Sequence, residues 1–144
     1  MPSLHNKLLF PLLLLLSLSA QAETRVAIIV NSSNTQDITL QDVGNIYKDR
    51  IITWDNNEKI DVYNLPSAVQ AREVFSRTLL GMGARSAAAE ESNRRITNTS
   101  RNPQLLKRER LVLLSVASNK NAIGYINASH LGQKKGIKVL FFIE

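Results

Sequence analysis

Short apolar runs alternate with amphipathic segments along this chain, and the alternation predicts its elements. Residues 26–30 are continuously apolar and rich in β-branched side chains, as expected of a strand buried on both faces. The apolar positions of 40–47 share one helical face, and Thr39 with Asp42 just before and inside that segment has the spacing of a helix cap. The chain therefore opens with a buried strand and a short capped helix.

The later part of the chain repeats this alternation. Helices are predicted at 84–93 and from Gln104 to the polar residues that follow 118, with a polar loop at 96–103 between them. Apolar runs at 122–126 and 138–143 predict two strands, and the glycine inside the first of them marks a bulge or a close backbone approach. Strands alternating with helices indicate an α/β domain with a mixed or mostly parallel sheet and helices on both faces.

The stretch 59–79 combines a strand, a turn and a helix. Ser67 and Gln70 have the S-x-x-Q spacing of a capping box, so the Ser67 hydroxyl and the amides of the first turn, at Ala68 and Val69, would point at one spot in front of the helix. A phosphate or carboxylate fits such a spot. Plain helix capping is the alternative, because many ordinary helices begin with this pair of residues.

Arg72 lies one turn into the same predicted helix. A positive side chain there opposes the helix dipole unless a negative group compensates it, and Glu73 and Asp61 are the nearby candidates. We therefore take Arg72 together with residues 67–69 as the candidate oxyanion-binding set.

The amino-terminal residues have the composition of an export leader. Lys7, the apolar run 8–18 and the small-x-small residues 20–22 make a secretory signal peptide, with cleavage expected after Ala22. The apolar run is well short of the roughly 20 residues that span a bilayer, so no stable membrane anchor is expected. These features predict a periplasmic protein with one domain, 23–144.

Charge and cysteine content narrow the possible chemistry. The sequence has no cysteine, which excludes disulfides, thiolate metal sites and a cysteine nucleophile. Removal of Lys7 leaves 17 of the 18 basic residues against 12 acidic ones, a net charge of about +5. Seven bases fall in the basic segment 85–110: Arg85, Arg94, Arg95, Arg101, Lys107, Arg108 and Arg110. Such a segment attracts anions, acidic partners or lipid head groups, although solvated helix faces look the same.

Catalytic and nucleic-acid-binding signatures are missing from the sequence. It contains no G-x-S-x-G, H-E-x-x-H or P-loop pattern, and His130 is the only histidine after the leader. The basic segment also lacks the interleaved aromatic residues that stack on bases. We therefore expect no enzyme activity, no metal, no cofactor and no nucleic-acid partner.

Several segments of the chain together resemble the periplasmic phosphate-binding proteins, the substrate-binding components of phosphate ABC transporters. In chain order they are 26–31, 40–47, 52–55, 72–75 and 121–126. The last of them, Asn-Ala-Ile-Gly-Tyr-Ile, is the most specific. The resemblance covers nearly all of 23–144 but only one lobe of the two-lobed family fold. It implies a single lobe of a type II periplasmic-binding-protein-like fold.

The resemblance also implies a place for the ligand. It puts Ser67 where the family places serine and threonine hydroxyls on phosphate, at the start of the helix that follows the Ile60 strand. The family turn is of a glycine-serine-glycine-threonine type, whereas this chain has Leu-Pro-Ser-Ala at 65–68, so only Ser67 carries over.

The second lobe of the family, which supplies the opposing ligands, has no counterpart in this sequence. A half-site of this kind is open to water, where an exposed charge pair contributes only about 0–1 kcal/mol. A second copy of the chain, a transporter component or another envelope protein would have to close it. The implied function is periplasmic binding of phosphate or another oxyanion. The alternative is an envelope interaction or adaptor protein that has kept one lobe and uses the basic segment 85–110.

Overall fold

Strands and helices alternate through residues 24–98, 102–133 and 135–144, which a computed structural model describes. The elements are β1 (Val26–Asn31), α1 (Leu40–Tyr47), β2 (Asp61–Asn64), α2 (Gln70–Phe75), α3 (Ala84–Asn98), β3 (Gln104–Leu105), α4 (Glu109–Ser118), β4 (Ala122–Asn127) and β5 (Ile137–Ile143). A π-helical turn, Ser76–Leu80, continues α2, and a 3₁₀ turn, Ala128–His130, follows β4. The predicted leader, 1–22, lies outside the described residues.

The five strands form one mixed sheet in the order β3-β2-β4-β1-β5. β2 runs parallel to both β3 and β4, whereas β1 is antiparallel to both β4 and β5. Four strands therefore share one direction and β1 alone opposes them. This confirms the α/β class and the mixed, mostly parallel sheet that the sequence predicts.

The core lies on both faces of β1 and β4. All six residues of β1 are buried, as its continuous apolar run requires. On β4, Gly124 faces Val112 and Val116 of α4, whereas the next residue, Tyr125, stacks on Phe75 of α2. Because successive residues of a strand point to opposite faces, α4 covers one face of the sheet and α2 covers the other.

Local signals placed α1 correctly. The Thr39 side chain accepts a hydrogen bond from the Asp42 amide at 3.1 Å, and the Asp42 carboxylate accepts one from the Thr39 amide at 2.9 Å. This is the reciprocal capping box that the sequence predicts. The end of the next helical segment was also predicted correctly. The π-helical turn that continues α2 stops at Gly81, which adopts a left-handed conformation with a φ of 71°.

The helix predicted from Gln104 is wrong in its first part. Gln104 and Leu105 form the edge strand β3, and α4 begins only at Glu109. The Asn102 side chain fixes this edge: its Nδ2 donates to the Ile60 carbonyl at 2.7 Å and its Oδ1 accepts from the Val62 amide at 3.3 Å. The predicted loop from 96 is also wrong at its start, because α3 continues to 98. Among the described helices, none has the length and apolarity to cross a bilayer.

Gly124 gives the first test of this packing. A Cβ at Gly124 would lie 2.6 Å from Val112 Cγ1 and 3.2 Å from Val116 Cγ2, and both valines are fully buried and stiff. Gly124→Ala should therefore lower the free energy of unfolding by about 1–3 kcal/mol, measured by urea denaturation. Repeating the change in a Val112→Ala background should reduce its cost, because the clashing methyl is gone. Equal costs in both backgrounds would show that α4 does not limit residue 124.

Candidate oxyanion site at the start of helix α2

The carboxyl ends of three parallel strands meet at one edge of the sheet. β2, β3 and β4 end there, and the chain leaves β2 into the turn 65–69 before α2. β3 leads in the same way into α4, and the Leu106 amide donates to the Asn64 carbonyl at 2.9 Å. Ligands of open α/β sheets bind outside the carboxyl ends of the strands. This edge is therefore the place to look for a site.

The turn 65–69 delays the start of α2. The Val69 amide donates to the Pro66 carbonyl at 3.0 Å, and Val69 itself is extended, with φ −77° and ψ 130°. Val69 is thus the N-cap residue and Gln70 the first helical residue, so the prediction that Ser67 and Gln70 form a capping box is wrong. Residues 66–69 form a β-turn instead, so Ser67 lies inside the turn and not at the N-cap position.

Ser67 and Ala68 lie at the surface of this turn. Both are exposed, whereas Val69 is half-buried and its amide is already used in the turn. Within residues 24–98, 102–133 and 135–144, no side chain caps the first turn of α2. The structure therefore leaves a serine hydroxyl and the uncapped start of a helix side by side at the carboxyl edge of the sheet.

Arg72 faces inward rather than toward that surface. Its side chain is 1% exposed. The guanidinium donates to the Leu65 carbonyl at 2.7 Å, to Ser76 Oγ at 3.3 Å and to Glu91 Oε2 at 3.0 Å. The arginine of the predicted set therefore supports the turn from beneath, and it is separated from the surface that Ser67 and Ala68 line.

Glu91 of α3 is the centre of this buried polar cluster. Its Oε2 accepts from Arg72 and from Asn64 Nδ2 at 2.9 Å, and its Oε1 accepts from Arg95 at 3.0 Å. Arg95 also donates to the Pro103 carbonyl, next to β3. Two guanidinium groups share one carboxylate, so the cluster carries net positive charge beneath the carboxyl edge of the sheet.

Sequence reasoning missed Glu91, although a signal for it exists. Ala84, Ala87 and Glu91 follow the i, i+3, i+7 spacing of a buried helix stripe, and all three are buried in the structure. An acidic residue on that stripe needs a buried cationic partner. Arg72 is that buried cationic partner.

Three aromatic rings pack together beside the cluster, one pair stacked and the other edge to face. Phe75 lies between Tyr125, with ring centroids 3.9 Å apart, and Tyr47, at 4.6 Å. The Tyr125 hydroxyl donates to Asn64 Oδ1, and the Tyr47 hydroxyl donates to the Tyr63 carbonyl at 2.7 Å. Burial raises the pKa of the Tyr125 phenol, and it raises the pKa of the Tyr47 phenol well above the usual value near 10.

The basic segment 85–110 divides into paired and unpaired residues. Arg94 pairs with Asp49 at 3.2 Å, and Arg95 pairs with Glu91. Lys107, Arg108 and Arg110 are exposed around the start of α4 and form no ion pair within the described part of the chain. Two of these three bases immediately precede α4, so they lie at the same edge of the sheet as the turn 65–69.

Metal-ligating groups are dispersed in the described residues, and no cluster of three or more histidine, aspartate or glutamate side chains is found there. His130 Nε2 contacts Glu109 Oε2 at 2.8 Å on the surface. The other oxygen of that carboxylate accepts from the Asn127 amide at 2.8 Å, which ties the start of α4 to the end of β4.

Comparisons with known proteins identify the fold. A protein of Clostridium perfringens, described as a phosphate ABC transporter substrate-binding protein and solved with bound phosphate, matches with a TM-score of 0.61 and 22% identity. An ABC-type phosphate transport receptor from Vibrio cholerae matches with a TM-score of 0.58 and 17% identity, and PstS from Borrelia burgdorferi with 0.61 and 17%. The chain has the fold of one part of these phosphate ABC transporter substrate-binding proteins. No protein-family model and no curated protein sequence matches it.

The match to the phosphate ABC transporter substrate-binding fold extends over a defined part of each protein. It covers 81% of this chain but only 44% of the Clostridium protein, 46% of the Vibrio protein and 47% of the Borrelia protein. The chain thus spans less than half the length of these proteins, which fits the single lobe that the sequence predicts.

Glu91 provides a direct test of the buried cluster. Glu91→Gln leaves the buried Arg72 guanidinium and the half-buried Arg95 guanidinium without their anion, so the free energy of unfolding should fall by about 3–5 kcal/mol in a urea titration. Glu90→Gln is the matched control, because Glu90 is 59% exposed and only 4.0 Å from Arg94 at its nearest. A loss at Glu91 no larger than the loss at Glu90 would contradict a central role for the cluster.

The buried phenols predict how stability depends on alkaline pH. The unfolded protein releases the Tyr47 and Tyr125 protons near pH 10, whereas the folded protein keeps them because the folded-state pKa of each phenol is raised. The unfolded state then binds fewer protons, so the free energy of unfolding should fall as the pH rises above about 10. Urea titrations across this range should show a shallower fall in Tyr47→Phe. An unchanged slope would show that this phenol ionises freely in the fold.

Proposed function

We propose that the protein is a periplasmic solute-binding-like protein that binds phosphate or another oxyanion at the turn 65–69. The observation that carries the proposal is the exposed, uncapped start of α2 beside Ser67, at the carboxyl edge of parallel strands. The bound phosphate in the Clostridium protein of the same fold supports a ligand of this class. The predicted leader, 1–22, supports export.

Each residue of the predicted set has a separate part in this proposal. The Ser67 hydroxyl and the Ala68 amide donate hydrogen bonds to the anion. Val69 fixes the helix start behind them, through its bond to Pro66. Arg72 acts from the interior: its charge, added to that of Arg95 and only partly neutralised by Glu91, makes this edge favourable for a negative ligand.

The exposed turn leaves one side of the anion in contact with water. Dehydration strengthens charged hydrogen bonds, so tight binding needs a second surface over Ser67 and Ala68. A homodimer mate, a transporter component or another envelope protein would provide it. The exposed bases Lys107 and Arg108 lie at the same edge, where they would attract the ligand or the partner.

The second candidate function is a non-transport envelope interaction or adaptor protein. Two observations favour it: Arg72 is fully engaged inside the protein, and Lys107, Arg108 and Arg110 are exposed without acidic neighbours in ion-pair contact within the described residues. On this hypothesis the lobe is a scaffold, and the bases at the start of α4 bind an acidic partner.

Calorimetric titration with phosphate and with sulfate tests the first proposal. Loss of one hydrogen bond to a charged ligand costs about 1.5–3 kcal/mol, so Ser67→Ala should weaken phosphate binding roughly tenfold to a hundredfold. Ser86→Ala, at an exposed position of α3, should leave it unchanged. No heat with either anion at millimolar concentration would rule out the oxyanion proposal and leave the interaction protein as the remaining candidate.

A further inference from the structure

A second cleft lies between α1 and the π-helical turn, away from the turn 65–69. Its volume is about 380 Å³, against about 110 and 100 Å³ for the two clefts beside Trp54. Small-molecule sites typically measure about 300–1,000 Å³. The lining residues are Leu40, Gln41, Gly44, Asn45, Lys48, Arg50, Thr78 and Leu79. The cleft is therefore large enough to hold a small ligand.

The backbone of this cleft is unusual on both sides. α1 approaches the π-helical turn so closely that a Cβ at Gly44 would lie 3.3 Å from the Leu79 carbonyl oxygen. The opposite wall, Ser76–Leu80, is one turn of π-helix, a conformation that occurs mainly as single turns and frequently at functional sites. The two walls therefore approach each other closely at Gly44 and Leu79.

The charge of the cleft has one sign. Both charged residues that line it, Lys48 and Arg50, are basic, and neither forms an ion pair with any of the described residues. Glu144 touches its rim at Thr78, whose Oγ1 donates to the Glu144 main-chain oxygen at 3.4 Å. The cleft beside Trp54 is the opposite case, since Asp37, Asp42 and Asp55 line it. An anionic group would be attracted to the first cleft and repelled by the second.

The remaining surface of the cleft is partly apolar. Leu40 is 38% exposed and Leu79 is half-buried against the core. Because these leucines lie beside two unpaired bases, the matching ligand has a negative head and an aliphatic part. An inorganic anion alone would leave the leucines uncovered.

We propose that the cleft between α1 and the π-helical turn binds a small anionic amphiphile. Lys48 and Arg50 bind its phosphate or carboxylate head, and its aliphatic chain lies over Leu40 and Leu79. This site is independent of the oxyanion site, because it lies at the far end of the helical segment 70–80 and uses none of residues 65–72.

Octyl phosphate is the probe, because it has both the anionic head and the aliphatic chain that the proposal requires. Its binding is measured from amide chemical shifts in NMR titrations. Shifts should concentrate at 40–50 and 78–79, and octyl phosphate should bind at least tenfold more tightly than either inorganic phosphate or octanol. Octanoate reports whether a carboxylate head serves as well. Shifts confined to 65–72 would assign the ligand to the oxyanion site and overturn the inference.

Matched variants locate the two contacts. Lys48→Gln with Arg50→Gln should weaken octyl phosphate at least tenfold, whereas Lys59→Gln with Arg85→Gln removes the same charge from exposed positions and should have little effect. Leu40→Ala should weaken octyl phosphate but not inorganic phosphate at this cleft. Equal losses in the two double variants would reduce the effect to net charge and overturn the proposal.

The source of the amphiphile can be distinguished with vesicles. Pelleting of the protein with phosphatidylglycerol vesicles, abolished by Lys48→Gln with Arg50→Gln, would identify a membrane lipid as the ligand. Binding of octyl phosphate without pelleting would identify a free amphiphile. Either result supports the site, whereas pelleting that persists in that double variant together with unaltered octyl phosphate affinity would overturn it.

Discussion

The buried ion pair between Arg72 and Glu91 is the interaction on which most of this structure depends. It joins α2 to α3, and through Asn64 and the Leu65 carbonyl it also holds the end of β2. Removing two charges from water costs several kcal/mol per ion unless hydrogen bonds compensate. Here the carboxylate accepts three hydrogen bonds and the Arg72 guanidinium donates three. The pair is therefore compatible with the interior only when α2, α3 and the end of β2 are all in place.

This dependence connects the core to the candidate site. Leu65 and Val69 anchor the turn 65–69 to the core, and two hydrogen bonds set its shape: the Pro66–Val69 bond at one end and the bond from Arg72 to the Leu65 carbonyl at the other. An arginine that would be a ligand in an open groove is instead a fixed internal charge. A bound anion would be attracted by the charge of Arg72 without contacting the guanidinium. Binding would be weaker than with a direct contact, but the turn would keep its shape when no anion is bound.

The sequence predicted those features that depend on local patterns. β1 follows from its apolar run and α1 from the Thr39 cap. The glycine in β4 predicted a bulge or a close backbone approach, and in the structure the side chains of Val112 and Val116 approach it closely. The helix start at Ser67 was wrong because the same residues also suit a β-turn, and only the tertiary bond of Arg72 to Leu65 decides between them. The strand at Gln104 was missed because it is two residues long and is fixed by Asn102, which bonds to residues some 40 positions away. Glu91 carries a signal in its helical spacing. The sequence does not pair it with Arg72, because the two residues lie 19 positions apart on different helices.

The position of β1 in the sheet has a consequence for how the protein folds. β1 is the first described strand, yet its two neighbours are the last two, with Val26 opposite both Asn127 and Ile143. The most buried strand of the sheet therefore has no strand partner until residues 122–143 have been synthesised. Such long-range pairing requires large loops to close before any ladder forms, which slows folding. During that interval β1 is a buried-type apolar strand without partners, which makes it the segment of the sheet most exposed to aggregation.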